Sequence, residues 1–146
     1  MPGGRSDPLD MRKVVALFIA ALAVLLLVAC TPEEANHIQM VNAFRTANGV
    51  AQLDWSDPLY DKARAWSQHM ADQGKLSHSD LRDGAPAGWH ILGENVAYNS
   101  SLTGAMTALE NSPVHRANLL NPQFNHVAVG IIFQDNVYWV TEEFVG

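Results

Sequence analysis

The feature that most limits what this chain can fold into is an uncharged run of 17 residues, Val14 to Cys30, directly after Arg12 and Lys13. A basic start followed by an apolar stretch is the pattern of an export signal, and 17 residues is also at the short limit for crossing a bilayer. Setting the run aside leaves 116 residues after Cys30. That length suffices for one domain with a single core and is too short for two.

The end of the apolar run carries a second signal. Residues 27–30 read Leu-Val-Ala-Cys and fit the bacterial lipobox, after which a signal peptidase cuts and leaves a lipid-modified cysteine as the new first residue. We therefore predict a signal peptide with lipobox at residues 1–30, with Met11 as an alternative start because it gives the basic leader MRK. An uncleaved membrane anchor and an ordinary signal peptide are the alternatives, and all three place residues 31–146 outside the cytoplasm.

Charge and cysteine content exclude some partners and some sources of stability. The chain has nine Lys and Arg against 15 Asp and Glu, a formal net charge of −6, so it has no basic stripe that would bind nucleic acid. Cys30 is the only cysteine, which rules out an internal disulfide. Stability must then come from packing, to which the four tryptophans can contribute large apolar surfaces.

Helix signals dominate the first part of the predicted domain. Thr31 and Pro32 with Glu34 three residues after the threonine form a capping signature, and Asn48-Gly49 supplies a left-handed stop. A second helix is predicted from the Asp57-Pro58 cap signal to Gly74.

Weaker elements follow the second helix. Residues 79–100 are rich in Gly and Pro and are predicted to be a loop with a short strand near Trp89 to Leu92. A third helix of about ten residues is expected from Leu102, and a short fourth helix from Ser112-Pro113 to Asn121-Pro122.

The end of the chain changes its periodicity. The segments HVAVGIIF and VYWVTEEF are dense in β-branched and aromatic residues, and only residues 134–136 separate them, which predicts a β-hairpin. Helices first and an antiparallel pair last indicate an α+β domain with helices packed on a small antiparallel sheet.

Three polar residues suggest chemistry. His78 and Glu94 stand at the two ends of the Gly- and Pro-rich segment HSDLRDGAPAGWHILGEN, and His115 follows the expected cap Ser112 by three residues. In the first turn of a helix, unpaired N–H groups lower the affinity of an imidazole for a proton. A neutral His115 would be available as a metal ligand or hydrogen-bond acceptor.

The order of the motifs resembles one known family. FRTANGVAQLDW, KLSHS, GENVA, NSPVHRANLLNP and YWVTEEF occur in that order between about Glu34 and Phe144, as in the CAP domains, named for cysteine-rich secretory proteins, antigen 5 and pathogenesis-related proteins and also called SCP domains. Each motif alone is weak, but five in the family's order make a specific pattern. The bacterial branch of the family is the better match, because the disulfides of eukaryotic members are absent.

The resemblance implies an α-β-α sandwich with a central cleft lined by two His and two acidic residues that can hold a divalent metal. Position by position, the first His is His78, the first acid is Glu94 and the second His is His115. The second acid falls at Ser112, where the bacterial branch often has Ser. Two imidazoles and one carboxylate suit zinc, which makes His78, Glu94 and His115 the expected metal ligands.

Each of these residues also has a purely structural interpretation. His78 could terminate a helix, Glu94 could accept backbone N–H groups in a turn, and His115 could make a hydrogen bond at a helix terminus. Ser112 is expected to be an N-cap. His37 lacks a motif and is expected to be a surface or packing residue, and Arg116 is expected to pair with a nearby carboxylate.

Two functions from different classes follow. The first is a non-enzymatic binding module for a small apolar molecule, a wall component or another protein, held at the membrane by lipid on Cys30. The second is a metal-assisted hydrolase, for instance a peptidase, with Glu94 as base. Serine chemistry through Ser112 and His115 is weaker because no nucleophile frame surrounds the serine. We expect binding rather than catalysis, and no catalytic residue is assigned.

Overall fold

The first helix begins and ends at residues whose side chains or backbone favour a helix boundary. In a computed structural model that describes residues 30–146, α1 spans Pro32–Ala47. Thr31 Oγ1 accepts a hydrogen bond from the Glu34 N–H at 3.3 Å, and Glu34 Oε2 accepts one from the Thr31 N–H at 2.7 Å. This reciprocal pair confirms the predicted capping box. The helix ends at Asn48, and Gly49 follows with a positive φ of 74°.

The predicted signal peptide lies outside the described residues, apart from Cys30 at its end. Thr31–Gly146 forms one compact unit by itself. Within residues 30–146, no helix is both long and apolar enough to cross a membrane.

The second helix, α2, spans Asp57–Gln73 and stops at Gly74, which has a left-handed φ of 59°. Its N-cap is Ser56 rather than the expected Asp57, and no side chain makes the cap hydrogen bond. The Asp57 carboxylate instead accepts from the Trp55 indole N–H at 2.6 Å. The buried residues recur every three or four positions along one face, at Leu59, Ala63, Ser67 and Met70.

Two shorter helices follow as predicted. Helix α3 spans Leu102–Asn111 and helix α4 spans Pro113–Leu119. Ser101 caps α3 by accepting from the Gly104 N–H at 3.0 Å. Ser112 occupies the N-cap position of α4, but its side chain makes no cap hydrogen bond.

The sheet has four strands in the order β1-β3-β4-β2. Strand β1 is Asp54–Trp55, β2 is Leu92–Asn99, β3 is His126–Gln134 and β4 is Val137–Val145. The predicted hairpin is β3 and β4, joined by a two-residue turn at Asp135 and Asn136 with φ of 53° and 62°. Strand β2 pairs antiparallel with β4, and β1 pairs parallel with β3, so the sheet is mixed.

The prediction for residues 79–100 is partly wrong. The expected short strand near Trp89 to Leu92 is an eight-residue strand, Leu92–Asn99, at one edge of the sheet. Glu94 is therefore a strand residue rather than a turn residue. Its neighbour Asn95 is also buried, and two consecutive buried polar residues hide the alternation that marks a strand. The two-residue strand β1 was not predicted at all.

Helices cover both faces of this sheet. On one face α2 packs its apolar residues against β3, β4 and β2 in two small clusters. On the other face α1, α3 and α4 enclose the main core, which consists of Val41, Leu53, Ala97, Ala105, Met106, Leu109, Leu119, Phe124, Val127, Val129, Ile131, Val140 and Phe144. The architecture is the predicted α+β fold, an α-β-α sandwich.

Arg45 fixes the position of α1 against the end of α4. Its side chain is fully buried and donates to the backbone carbonyls of Ala51, Leu119, Asn121 and Phe124 at distances from 2.6 to 3.4 Å. Burial lowers the pKa of this guanidinium. Because Leu119 ends α4, the cation also lies at the negative end of that helix.

Candidate functional site

His78 and Glu94, predicted to line one cleft, are in direct contact. His78 Nδ1 lies 2.6 Å from Glu94 Oε1, and the Ser79 N–H donates to both carboxylate oxygens at 3.0 and 3.2 Å. The Glu94 side chain is 1% exposed, whereas the His78 side chain is 60% exposed. A carboxylate acceptor at Nδ1 favours the tautomer whose other nitrogen, Nε2, is free to bind a partner.

Glu94 has a second acidic neighbour that the sequence did not single out. Glu143 on β4 is its direct cross-strand partner, is buried, and accepts from Ser79 Oγ at 3.2 Å. Lys62 Nζ on α2 lies 3.0 Å from Glu143 Oε1. Burial and the nearby Glu94 carboxylate raise the pKa of Glu143 to about 8, against the opposing effect of Lys62. The Glu143 carboxyl group is therefore mostly protonated at neutral pH.

His115 reaches the same region from the other side of edge strand β2. The Asn95 side chain donates to the His115 backbone carbonyl at 3.2 Å. The Asn118 side chain donates to the Glu94 carbonyl at 3.1 Å and to Asn95 Oδ1 at 2.9 Å. These three hydrogen bonds hold α4 against Glu94 and Asn95 of β2, and they fix the backbone position of His115.

The pKa of the His115 imidazole depends on its surroundings in the fold. Burial lowers the pKa of its imidazole, the positive charge of His78 lowers it further, and Glu142 opposes both. His115 is therefore neutral at pH 7, as its position in the first turn of α4 predicts. The effect of His78 on this pKa indicates that the two imidazoles are near enough to interact through charge, although no hydrogen bond of the described residues joins them.

A groove of about 240 Å³ opens beside His115, between β2, α3 and the beginning of α4. Six of its eight lining residues are apolar or aromatic, and the set is Leu76, Val96, Ala97, Tyr98, Ala108, Leu109, Ser112 and His115. Tyr98 is 55% exposed and stacks on Trp139 with ring centroids 5.4 Å apart. Groove, imidazoles and Glu94 together are called the edge cleft below.

Ser112 lines this groove but lacks the geometry of a nucleophile. Among the hydrogen bonds of residues 30–146, none joins Ser112 to His115 or to another base. A serine nucleophile needs a base within hydrogen-bond reach and a third group that orients the base. Ser112 is accordingly a wall of the groove and the N-cap position of α4.

Beneath the edge cleft lies a buried polar pair that the sequence did not reveal. His37 Nε2 on α1 lies 2.7 Å from Glu142 Oε1 on β4, and both side chains are fully buried. Asn95 donates to the other Glu142 oxygen at 2.9 Å. His37 is thus a specifically paired core residue, 105 positions from its partner in the chain, a separation that no local pattern can signal.

The expectation for Arg116 was wrong. Its guanidinium donates to Asn48 Oδ1 at 2.9 Å and to the Glu110 carbonyl at 3.4 Å, and it lies 4.8 Å from the centre of the Phe44 ring. Among the ion pairs of residues 30–146, Arg116 has no carboxylate partner. A side-chain amide, a backbone carbonyl and an aromatic ring take the place of the expected ion pair.

The side chains of the predicted metal site only partly fit a metal ion. Among residues 30–146, no three His, Cys, Asp or Glu side chains form a group that could hold a metal ion. Glu94 does not fit as a third ligand because its carboxylate already accepts from His78 and Ser79. The arrangement fits two imidazoles, with Glu94 as the acceptor that orients one of them, as is common behind metal-binding histidines. The geometry thus narrows the predicted ligand set of His78, Glu94 and His115 to the two imidazoles, and metal binding there stays a prediction.

The fold and the edge cleft define a class. An α-β-α sandwich that brings a loop His, a strand Glu and a second His on a short helix to one sheet edge is the arrangement expected of a CAP domain. The family model of the Cysteine-rich secretory protein family, CAP, matches residues 38–144. This chain belongs to that family, and the expected family resemblance is confirmed.

Individual relatives agree with this assignment. Two Bacillus subtilis proteins, YkwD and the membrane protein YlbC, are 30% and 31% identical over 118 and 125 residues, or 75% and 79% of this chain. The matches cover 45% and 35% of those proteins, so the chain spans less than half the length of either.

Solved structures show the same fold. An extracellular SCP-domain protein from Bacillus anthracis has a TM-score of 0.68 at 26% identity over 80% of this chain and 44% of its own. An outer surface protein from Borrelia burgdorferi also reaches 0.68, at 17% identity over 80% of this chain and 95% of its own. The second likeness supports the fold alone.

Proposed function

We propose that this CAP domain is a non-enzymatic binding module that takes the apolar part of a small amphipathic molecule into its edge cleft. The observation that carries the proposal is the composition of the groove, in which six apolar or aromatic side chains surround a neutral His115. An apolar wall with one uncharged polar group at its end binds a hydrocarbon portion and orients a polar head. The volume of about 240 Å³ suits a short alkyl chain or a single ring.

Filling the groove tests this function. Ala108 is exposed on α3 and lines the groove, so Ala108→Phe adds a ring there without entering the core. A fluorescent fatty acid, titrated into the Thr31–Gly146 unit, is expected to bind the variant at least about tenfold more weakly, a loss of about 1.4 kcal/mol. Thr107→Phe is the matched control, because Thr107 is also exposed on α3 but lies outside the groove. Equal affinities for both variants would refute the proposal.

Metal-assisted hydrolysis has less support. Glu94 would have to act as the base, and its carboxylate is already held by His78 Nδ1 and the Ser79 N–H on a buried strand. A base must lie within reach of the proton that it removes. The edge cleft therefore offers binding groups without an available base, and we assign no catalytic residue.

In this proposal a divalent metal would stabilise the fold rather than take part in a reaction. The residues that would hold it are His78 and His115, and a bound zinc ion would link the loop after α2 to α4. Zinc added at pH 7, at about tenfold excess over its dissociation constant, should stabilise the fold by about 1.4 kcal/mol, and raise the thermal midpoint by roughly 5 °C. The rise should shrink on acidification, because protons compete for imidazole.

The control for the zinc effect is the double variant His78→Ala with His115→Ala. Neither side chain belongs to a core cluster, so the variant should fold. An undiminished rise in its thermal midpoint would show that zinc binds elsewhere.

We further propose that the domain is exported and held at the membrane by lipid on Cys30. The lipobox at residues 27–30 supports this, as do the extracellular protein of Bacillus anthracis and the membrane protein YlbC among the relatives. Cys30→Ala should move the protein from the membrane fraction to the soluble fraction if acyl chains are the anchor. Mass spectrometry of the wild-type protein should find a lipid-modified Cys30 at its N-terminus, and an unmodified chain starting elsewhere would contradict the proposal.

A further inference from the structure

A second cavity is separate from the edge cleft. It has a volume of about 450 Å³ and shares no lining residue with the groove beside His115. Its walls come from the end of β1 and the beginning of α2, from the loop before β2, from the beginning of β3 and from the end of β4. We call it the tryptophan pocket, because Trp55 and Trp89 both line it.

The indole of Trp55 is held in place before any ligand arrives. Its Nε1–H donates to Asp57 Oδ1 at 2.6 Å, and its ring lies 5.1 Å from the ring of Tyr60. A fixed aromatic ring offers a flat apolar face at little cost in conformational entropy. Trp89, in contrast, is 39% exposed, which is a large apolar surface to leave in water.

Backbone hydrogen bonds fasten both walls of the pocket to the sheet. On one side Ser56 N–H donates to the Val127 carbonyl at 2.9 Å. On the other side the N–H groups of His90 and Ile91, directly after Trp89, donate to the Gly146 carbonyl at 2.7 and 3.0 Å. Gly88 has a φ of 85°, which only glycine adopts readily, and it turns the loop just before Trp89. The pocket is therefore preformed.

The polar lining of the pocket limits the chemistry of its ligand. No lysine or arginine of the described residues lines it, which argues against phosphate or carboxylate ligands. Its one acidic side chain, Asp57, already accepts from Trp55, which argues against a cation. The remaining polar side chains, Ser56, His90, Asn125 and His126, can each donate and accept hydrogen bonds.

We propose that the tryptophan pocket binds a neutral saccharide of about two rings. The axial C–H groups of a pyranose ring form an apolar face that stacks on indole, and its hydroxyl groups both donate and accept. A ligand of this kind matches two tryptophans combined with uncharged polar groups, and a volume of about 450 Å³ accommodates a disaccharide. This site is independent of the function proposed for the edge cleft.

Tryptophan side-chain NMR signals provide a test with an internal control. The four tryptophans give four indole N–H signals, of which Trp55 and Trp89 belong to the pocket. Trp66, which donates to the Ser77 carbonyl, and Trp139, which packs in a core cluster, do not. The full chain is kept in a detergent without a sugar headgroup and titrated with cellobiose and with N,N′-diacetylchitobiose.

The expected result is a saturable shift of the Trp55 and Trp89 signals with at least one of the two disaccharides, while Trp66 and Trp139 stay unchanged. Trp89→Ala should weaken binding at least about tenfold, and His90→Ala should weaken it several-fold. Phe133→Ala, an exposed aromatic away from the pocket, should leave binding unchanged. The proposal is overturned if neither disaccharide shifts Trp55 or Trp89, if all four signals shift alike, or if binding survives Trp89→Ala.

Discussion

Replacing Gly130 by alanine is expected to lower the free energy of unfolding by at least about 3 kcal/mol. Gly130 lies in the middle of β3, and a Cβ added there would overlap the backbone of Ala63 and Arg64 on α2. Backbone atoms cannot swing aside as a flexible side chain can, so the whole helix would have to move away from the sheet. The Gly130 carbonyl also accepts from Ser67 Oγ at 2.8 Å, a bond that depends on this close approach.

Gly104→Ala is the matched control for this effect. A Cβ at Gly104 would meet only side-chain atoms, of the half-buried Asn99 and the exposed Ser101, and these can move aside at the cost of weakening the Ser101 cap hydrogen bond. Because Gly104 lies within α3, alanine also brings better helix propensity. Chemical denaturation of both variants should show a large loss for Gly130→Ala and a change within about 1 kcal/mol for Gly104→Ala. Similar losses would mean that α2 does not approach β3 as closely as described.

The second large effect concerns the dependence of stability on pH. The folded-state pKa of Glu143 is raised from 4.5 to about 8, so the folded state holds this proton more tightly than the unfolded state does. The resulting stability is fully present below about pH 4.5 and is lost as the pH rises through about 8. One such group changes stability by at most about 1.4 kcal/mol per pH unit, and we expect a total loss of roughly 2 to 3 kcal/mol because Lys62 and Glu94 share the effect.

Glu143→Gln isolates this contribution, since an amide resembles the protonated carboxyl group and cannot ionise. The variant should resemble the wild type near pH 5 and should exceed it in stability by roughly 2 kcal/mol near pH 9. Urea denaturation at a series of pH values measures the difference. If wild type and variant keep a constant difference from pH 5 to 9, Glu143 does not carry a raised pKa.

The parts of the fold that the sequence predicted correctly depend on local signals. Thr31 and Glu34 lie three residues apart, and their reciprocal hydrogen bonds are the ones that a capping box requires. Asp135 and Asn136 adopt the positive φ that a two-residue hairpin turn needs. Such interactions join residues that are only a few positions apart, so the local sequence is enough to predict them.

The parts that the sequence missed depend on contacts between distant residues. Strand β2 was expected to be mostly loop because residues 79–100 are rich in Gly and Pro. Its polar residues Glu94 and Asn95 are buried only because His78, Ser79 and Glu142 pair with them. The pairing of His37 with Glu142 spans 105 positions. The family resemblance supplied His78, Glu94 and His115, yet it gave no indication of Glu143 or Lys62 beside them.

The central claim is that His78 and His115 belong to one cleft at the edge of the sheet. NMR titration of the His115 imidazole, in the wild type and in His78→Gln, tests it most directly. We expect the wild-type pKa of His115 to lie below the ordinary value of 6.5, because of burial and the charge of His78, and to be higher in the variant, where that charge is absent. An identical titration of His115 in the two proteins would contradict the shared cleft.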